Sequence, residues 1–92
     1  MAKKNPSTPV EAILGTSPAE AEEVLATLTA REREVAEKMA AGLSNGKIAE
    51  ELKISSKTLD VHRGKVQLKL RAKTAVAVAR IVFAQKFGEH LK

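Results

Sequence analysis

From Leu28 to Leu70 the chain is divided by helix start and stop signals into short helical segments, which leaves little room for any strand. Thr29-Ala30-Arg31-Glu32 is a capping box, with a hydroxyl to accept a free amide and a glutamate three residues on to reach back. Val35, Ala36, Met39 and Ala40 follow as an apolar stripe. Gly42 fits the end of that helix, because glycine enters the left-handed region at little cost, and Leu43 is expected to turn inward. Ser44 can cap the next helix, whose inner face is Ile48, Ala49 and Leu52. Lys53-Ile54-Ser55 is long enough only for a sharp turn, and Ser55 can cap a further helix reaching about Leu70.

Helix, three-residue turn, helix over residues 44–70 is the helix-turn-helix arrangement. Upstream, Ser17-Pro18-Ala19-Glu20 is another capping box with proline at the first helical position. Ala21, Val24, Leu25 and Leu28 recur at helical spacing, so a short helix is expected to about Thr27. Residues 1–16 carry Pro6, Pro9 and Gly15 with little periodicity and read as a flexible tail. A last helix is expected from about Lys73 to Phe87, ended by Gly88. It is apolar nearly all round, so it is either a central core helix or buried on one side by another subunit. The expected architecture is all-α. A four-helix domain spans residues 28–88, with an extra short helix at 17–27 and the tail at 1–16.

Ninety-two residues bound this to one small domain. There is no cysteine for disulfides or thiolate metal sites, and His62 and His90 are too isolated to form a metal cluster. No cofactor or metal is expected. The start Met1-Ala2-Lys3-Lys4 lacks the apolar core of a secretion signal, and no apolar run is long enough for a membrane span, so a cytoplasmic protein without a membrane partner is expected. No paired carboxylates, no nucleophile with a base and no glycine-rich phosphate loop mark an enzyme. Charge is unevenly spread. Residues 1–51 hold nine acids and six Lys/Arg, a net of −3, while residues 52–92 hold two acids and ten Lys/Arg, a net of +8. Such a half suits a polyanion, and with Phe83 and Phe87 as the sole aromatics, single-strand stacking is disfavoured.

On a helical wheel at about 100° per residue, Leu59, His62, Val66 and Leu70 share one side of the 55–70 segment, the expected core face. Lys57, Asp60, Val61 and Gly64 share the opposite side. Solvent gives no reason for Val61 there, whereas a major groove does: Val61 can touch a thymine methyl, Lys57 can donate to guanine and Asp60 can accept from cytosine. Gly64 costs about 1 kcal/mol in a helix, so either DNA approaches closely or the site is merely tolerant. With Lys65, these four are the candidate base-contacting residues. Arg63, Lys69, Arg71 and Lys73, with Ser44, Asn45, Ser56 and Thr58 at helix starts, are candidate phosphate contacts; Ser44 and Ser55 are foremost caps.

These residues closely resemble the DNA-binding domain of the LuxR/FixJ (GerE-type) family of bacterial transcription regulators. The match runs through Leu28, Thr29, Arg31, Glu32, Glu34, Val35, Gly42, Leu43, Ser44, Asn45, Ile48, Ala49, Leu52, Ile54, Ser55, Thr58, His62, Lys69 and Leu70. The run from Thr58 to Arg63 looks most like the FixJ branch. The resemblance implies a third domain helix lying in the major groove of double-stranded DNA and a last helix forming a homodimer on DNA, with Ala77, Arg80, Ile81 and Ala84 as candidate dimer residues. It implies a structural charge pair between Arg31 and Glu32. It also makes RNA polymerase a candidate partner. Asp60 and Gly64 depart from the basic residues many relatives carry there, and the positive charge sits at Arg63 and Lys65 instead. Most relatives also have a receiver or ligand-binding domain, for which the 27 residues before Leu28 are too few. Either a stand-alone regulator, which the start at Met1 favours, or a fragment is expected.

The expected function is a sequence-specific transcription regulator. Two alternatives stand beside it: a sigma-factor-like promoter-binding domain, and a protein-interaction module using Glu20, Glu22 and Glu23 beside Val24 and Leu25.

Overall fold

A computed structural model describes the backbone of residues 16–91 and the side chains of residues 16–88. Five helices and no strand occupy the described residues: α1 Pro18–Leu25, α2 Ala30–Ala40, α3 Asn45–Leu52, α4 Ser56–Leu70 and α5 Ala75–Leu91. The all-α architecture expected from the sequence is the one observed. The tail expected at residues 1–16 lies, apart from Thr16, outside the described residues.

The helix starts follow the capping chemistry. Ser17 Oγ accepts the Glu20 amide at 3.1 Å and the Glu20 carboxylate accepts the Ser17 amide, so the first box is closed. Thr29 Oγ1 accepts the Glu32 amide at 3.1 Å and Glu32 Oε1 accepts the Thr29 amide at 2.9 Å, closing the second. Ser44 and Ser55 accept the amides of Lys47 and Thr58. Thr74 caps α5 by accepting the Ala77 amide at 3.1 Å. Each cap is worth about 1 kcal/mol.

The helix ends are less uniform. Gly42 takes φ +83° after α2, as expected. Lys53 and Arg71 take φ 57° and 54°, closing α3 and α4 in the left-handed conformation without glycine. The Ile54 amide then reaches Ala49 O at 3.0 Å, and the Ala72 amide reaches Gln67 O at 2.9 Å. Gly88 does not end α5, which continues through it to Leu91. The reason is packing. A Cβ at Gly88 would overlap Cβ of Pro18, so the glycine lets α5 pass directly under the first turn of α1.

A single core joins all five helices. Leu25, Val35, Ala36, Met39, Ile48, Ala49, Leu59, Val66, Leu70, Ala72, Val78 and Val82 are buried together. Burial of each large member contributes about 1.5–3 kcal/mol, more than any surface ion pair. Leu25 belongs to this cluster and α1 lies along α5, so the short N-terminal helix is part of the same packed unit rather than an appendage. Alpha-5 lies centrally, with Val78, Val82 and Ala84 fully buried and Gln85 buried beside them. Its apolar character is not all internal, however: Val76, Phe83 and Phe87 remain exposed.

Candidate nucleic-acid interface

Leu59, Val66 and Leu70 anchor the inner side of α4, and His62 lies half-buried at their margin. This anchoring fixes the rotation of α4 and turns Lys57, Asp60, Val61, Gly64 and Lys65 outward, all exposed. Val61 is 54% exposed, a β-branched side chain with no core to serve. The outward set is therefore grouped on one side of the helix, as its spacing predicted. One further member was missed. Leu68, 79% exposed, continues the same face one turn beyond Gly64. Its position on the wheel could have revealed it, but a leucine near a helix end is ordinarily assigned to the core.

Ion pairing separates the cations into two groups. Lys38 binds Glu51 at 2.7 Å, tying α2 to α3. Arg33 meets Glu37 at 3.1 Å and donates to the Gln85 side chain at 3.2 Å, tying α2 to α5. Lys86 approaches Glu37 at 3.9 Å, and Lys47 approaches Glu50 at 3.4 Å. Glu37, Glu50 and Glu51 are thus occupied by these partners. Among the described residues, Lys53, Lys57, Arg63, Lys65, Arg71, Lys73 and Arg80 form no ion pair, and five of these seven, Lys57, Arg63, Lys65, Arg71 and Lys73, belong to α4 or the turn after it. Arg63 also has a buried Nε with no acceptor among the described residues. An unsatisfied buried donor costs about 1–3 kcal/mol, so its retention calls for an external acceptor or another compensation.

Lys69 differs from these five. Its Nζ lies 2.7 Å from Glu32 Oε1, and the Glu32 side chain is almost fully buried. Lys69 is therefore tied to α2 by the fold, unlike those five. Its hydrogen bond to Glu32, followed by the Thr29 amide, holds the Glu32 carboxyl below its ordinary value of 4.5. The charge pair expected between Arg31 and Glu32 is not formed: Arg31 faces Glu34 at 3.7 Å, because Glu32 points inward to Lys69 and to the α2 N-terminus. Lys38 likewise holds the Glu51 carboxyl below its ordinary range.

At the helix starts, Ser44, Asn45, Ser56 and Thr58 are all exposed. Ser55 Oγ donates to Thr58 Oγ1 at 3.0 Å while accepting the Thr58 amide, which orients the threonine hydroxyl at the mouth of α4. Arg71 and Lys73 lie at the other end of α4. The candidate contacts thus extend along the helix from end to end.

The dimer candidates on α5 divide. Arg80 is exposed. Ala77 and Ile81 are half-buried against the core and line, with Ala21 and Val24 of α1, a hollow of about 310 Å³. Ala84 is fully buried within the protomer, so it cannot meet a second copy; the all-apolar sequence of α5 gave no means of telling its inner from its outer side. The exposed apolar side is instead Val76, Phe83 and Phe87, which share a helix face with Arg80.

Among the described residues no group of acids and histidines could hold a metal ion, and no helix is long and apolar enough to cross a membrane.

Comparison with known proteins agrees with this geometry. The family model for bacterial regulatory proteins of the luxR family (GerE) matches residues 26–82. The chain is 44% identical over 64 residues to the transcriptional regulatory protein FixJ of Rhizobium meliloti, covering 70% of this chain and 31% of that protein. It is 48% identical over 56 residues to the transcriptional regulatory protein UhpA of Escherichia coli, covering 61% and 29%. It superposes on the crystal structure of full-length FixJ from B. japonicum with a TM-score of 0.69 at 32% identity, covering 90% of this chain and 39% of that one. The chain therefore spans less than a third of the curated relatives' length. With the Thr29–Glu32 capping box, the turn and the outward face of α4 all in place over the matched residues, the chain belongs to the luxR family of bacterial regulatory proteins.

Proposed function

We propose that this protein is a sequence-specific, double-stranded DNA-binding transcription regulator that lays α4 in the major groove. One observation carries the reading. The exposed face of α4 mixes the cations Lys57 and Lys65, an acid and a β-branched apolar residue, and it is flanked by Arg63, Arg71 and Lys73, which form no ion pair among the described residues. That combination suits base edges beside phosphates and serves no internal purpose. Lys57, Asp60, Val61 and Lys65 address base edges, with Gly64 keeping the helix surface low. Arg63, Arg71 and Lys73, with Ser44, Asn45, Ser56 and Thr58, address phosphates. The relatives are named as transcriptional regulatory proteins, which supports the same class.

The regulator binds as a two-fold dimer through α5. Val76, Arg80, Phe83 and Phe87 fall on one exposed helix face, and a symmetric pair of such stripes is self-complementary. Work on promoter DNA places the protein in the bacterial cytoplasm and brings it beside RNA polymerase. Its role is binding rather than catalysis.

Binding-site selection from a random duplex library at physiological salt tests this. An enriched motif with two-fold symmetry and half-sites about one helical turn apart or closer is expected. Absence of enrichment, with only salt-sensitive binding to any duplex, overturns the sequence-specific reading.

A further inference from the structure

Beyond Gly64, the outward face of α4 ends in Leu68, the most exposed large apolar side chain among the described residues. Gly64, Gln67, Leu68, Arg71, Ala72 and Lys73 line a hollow of about 480 Å³ at this end of the helix. Its base is apolar and fixed. Ala72 is buried, and Gln67 Nε2 donates to the Lys73 carbonyl at 3.1 Å, pinning the side chain across the turn. Its rim is cationic: Arg71 and Lys73 are exposed and have no ion pair among the described residues. A Cβ at Gly64 would meet nothing within 4 Å, so the protein's own packing does not require glycine there. The helix retains an unfavourable residue at a position that only an external body can crowd.

We propose that this hollow seats one sugar–phosphate strand of the duplex, the strand that walls the groove occupied by α4. Leu68 packs on the face of a deoxyribose, which lacks the 2′-hydroxyl and is correspondingly apolar. Gly64 lets that strand approach the helix backbone. Arg71 and Lys73 take the flanking phosphates. Reach supports the assignment. Leu68 lies seven residues beyond Val61 on the same face, about 10 Å along the helix at 1.5 Å per residue. The major groove is about 12 Å wide, so a straight helix lodged at Val61 carries Leu68 out towards its wall. The end of α4 from Leu68 onward therefore supplies sequence-independent grip, while the turns from Lys57 to Lys65 read bases. This assignment rests on the DNA-binding reading above.

The test compares the full chain with its Leu68→Ala, Arg71→Gln and Gly64→Ala variants. Each is titrated with the duplex selected by the wild type and with a scrambled duplex of equal length, over a range of salt. Leu68→Ala is expected to weaken both duplexes by the same factor, about tenfold, with the selected motif and the salt slope unchanged. Arg71→Gln lowers the salt slope by about one unit. Gly64→Ala raises the Tm of the free protein yet weakens binding to both duplexes. Unaltered affinity in Leu68→Ala, with the wild type still binding, overturns the strand seat and leaves the DNA-binding reading standing. A changed base preference in Leu68→Ala makes Leu68 a base reader and also overturns it. Failure of the wild type to bind any duplex overturns both.

Discussion

Val61 and the α-helical glycines at 64 and 88 show how much a single position depends on what lies outside its own helix. Val61 has no protein neighbour to justify it, so its replacement leaves the fold alone. Val61→Glu should leave helical content and Tm unchanged while abolishing binding to the selected duplex, because a carboxylate replaces an apolar contact amid base edges and phosphates. Circular dichroism and a binding titration read the two effects separately. The glycines give opposite signs for one substitution. Gly64→Ala should stabilise the free protein by about 1 kcal/mol, since alanine is the better helix former and the added methyl meets nothing. Gly88→Ala should destabilise it by about 1–3 kcal/mol, because the methyl overlaps the rigid Pro18 ring and pushes α1 from α5. Urea unfolding of both variants measures this, and equal signs would refute the contrast. The sequence sets Gly64 inside a helical pattern and Gly88 at the end of one; only the position of α1 shows that Gly88 is a site of close packing.

Among the elements, α4 is held to α2 by the Glu32–Lys69 contact, which spans 37 positions of sequence. Because the Glu32 carboxyl is held below 4.5 in the folded protein, the folded state binds that proton less readily than the unfolded chain does. The resulting stability is present above about pH 4.5 and is lost as pH falls through the folded value. Glu32→Gln should therefore be less stable than the wild type at pH 7, and the gap should shrink towards pH 3. Chemical unfolding at both pH values tests this; a gap independent of pH would remove the ionic contribution. The capping boxes, the apolar stripes and the turn at residues 53–55 were legible in the sequence because they are local. The left-handed caps at Lys53 and Arg71 were not, because neither carries the glycine that signals such a turn. The continuation of α5 past Gly88 was also hidden, since a glycine that makes room for a neighbour looks the same as one that ends a helix.

At the scale of the whole molecule, α5 faces both inward and outward, and exposure decides which substitutions act on assembly. Phe83 is 46% exposed and Phe87 43%, whereas Ile81 packs against the core. Phe83→Asp should weaken the dimer on DNA at least tenfold with little change in monomer Tm, while Ile81→Asp should lower the Tm markedly by burying an unpaired charge. Sedimentation on the selected duplex and thermal unfolding decide between them; a dimer unaffected by Phe83→Asp would place the interface elsewhere. What the sequence alone determined was the number and order of helices, their starts, the inner face of α4 and the basic character of its surroundings. Those follow from capping, periodicity and charge, which act over a few residues. Tertiary structure alone decided that Lys69 is held by Glu32, that Ala84 is enclosed and that Leu68 stands exposed at the edge of a cationic hollow. Each of these depends on which distant helix lies alongside, and a helix of uniformly apolar residues does not specify its own rotation until its neighbours are packed against it.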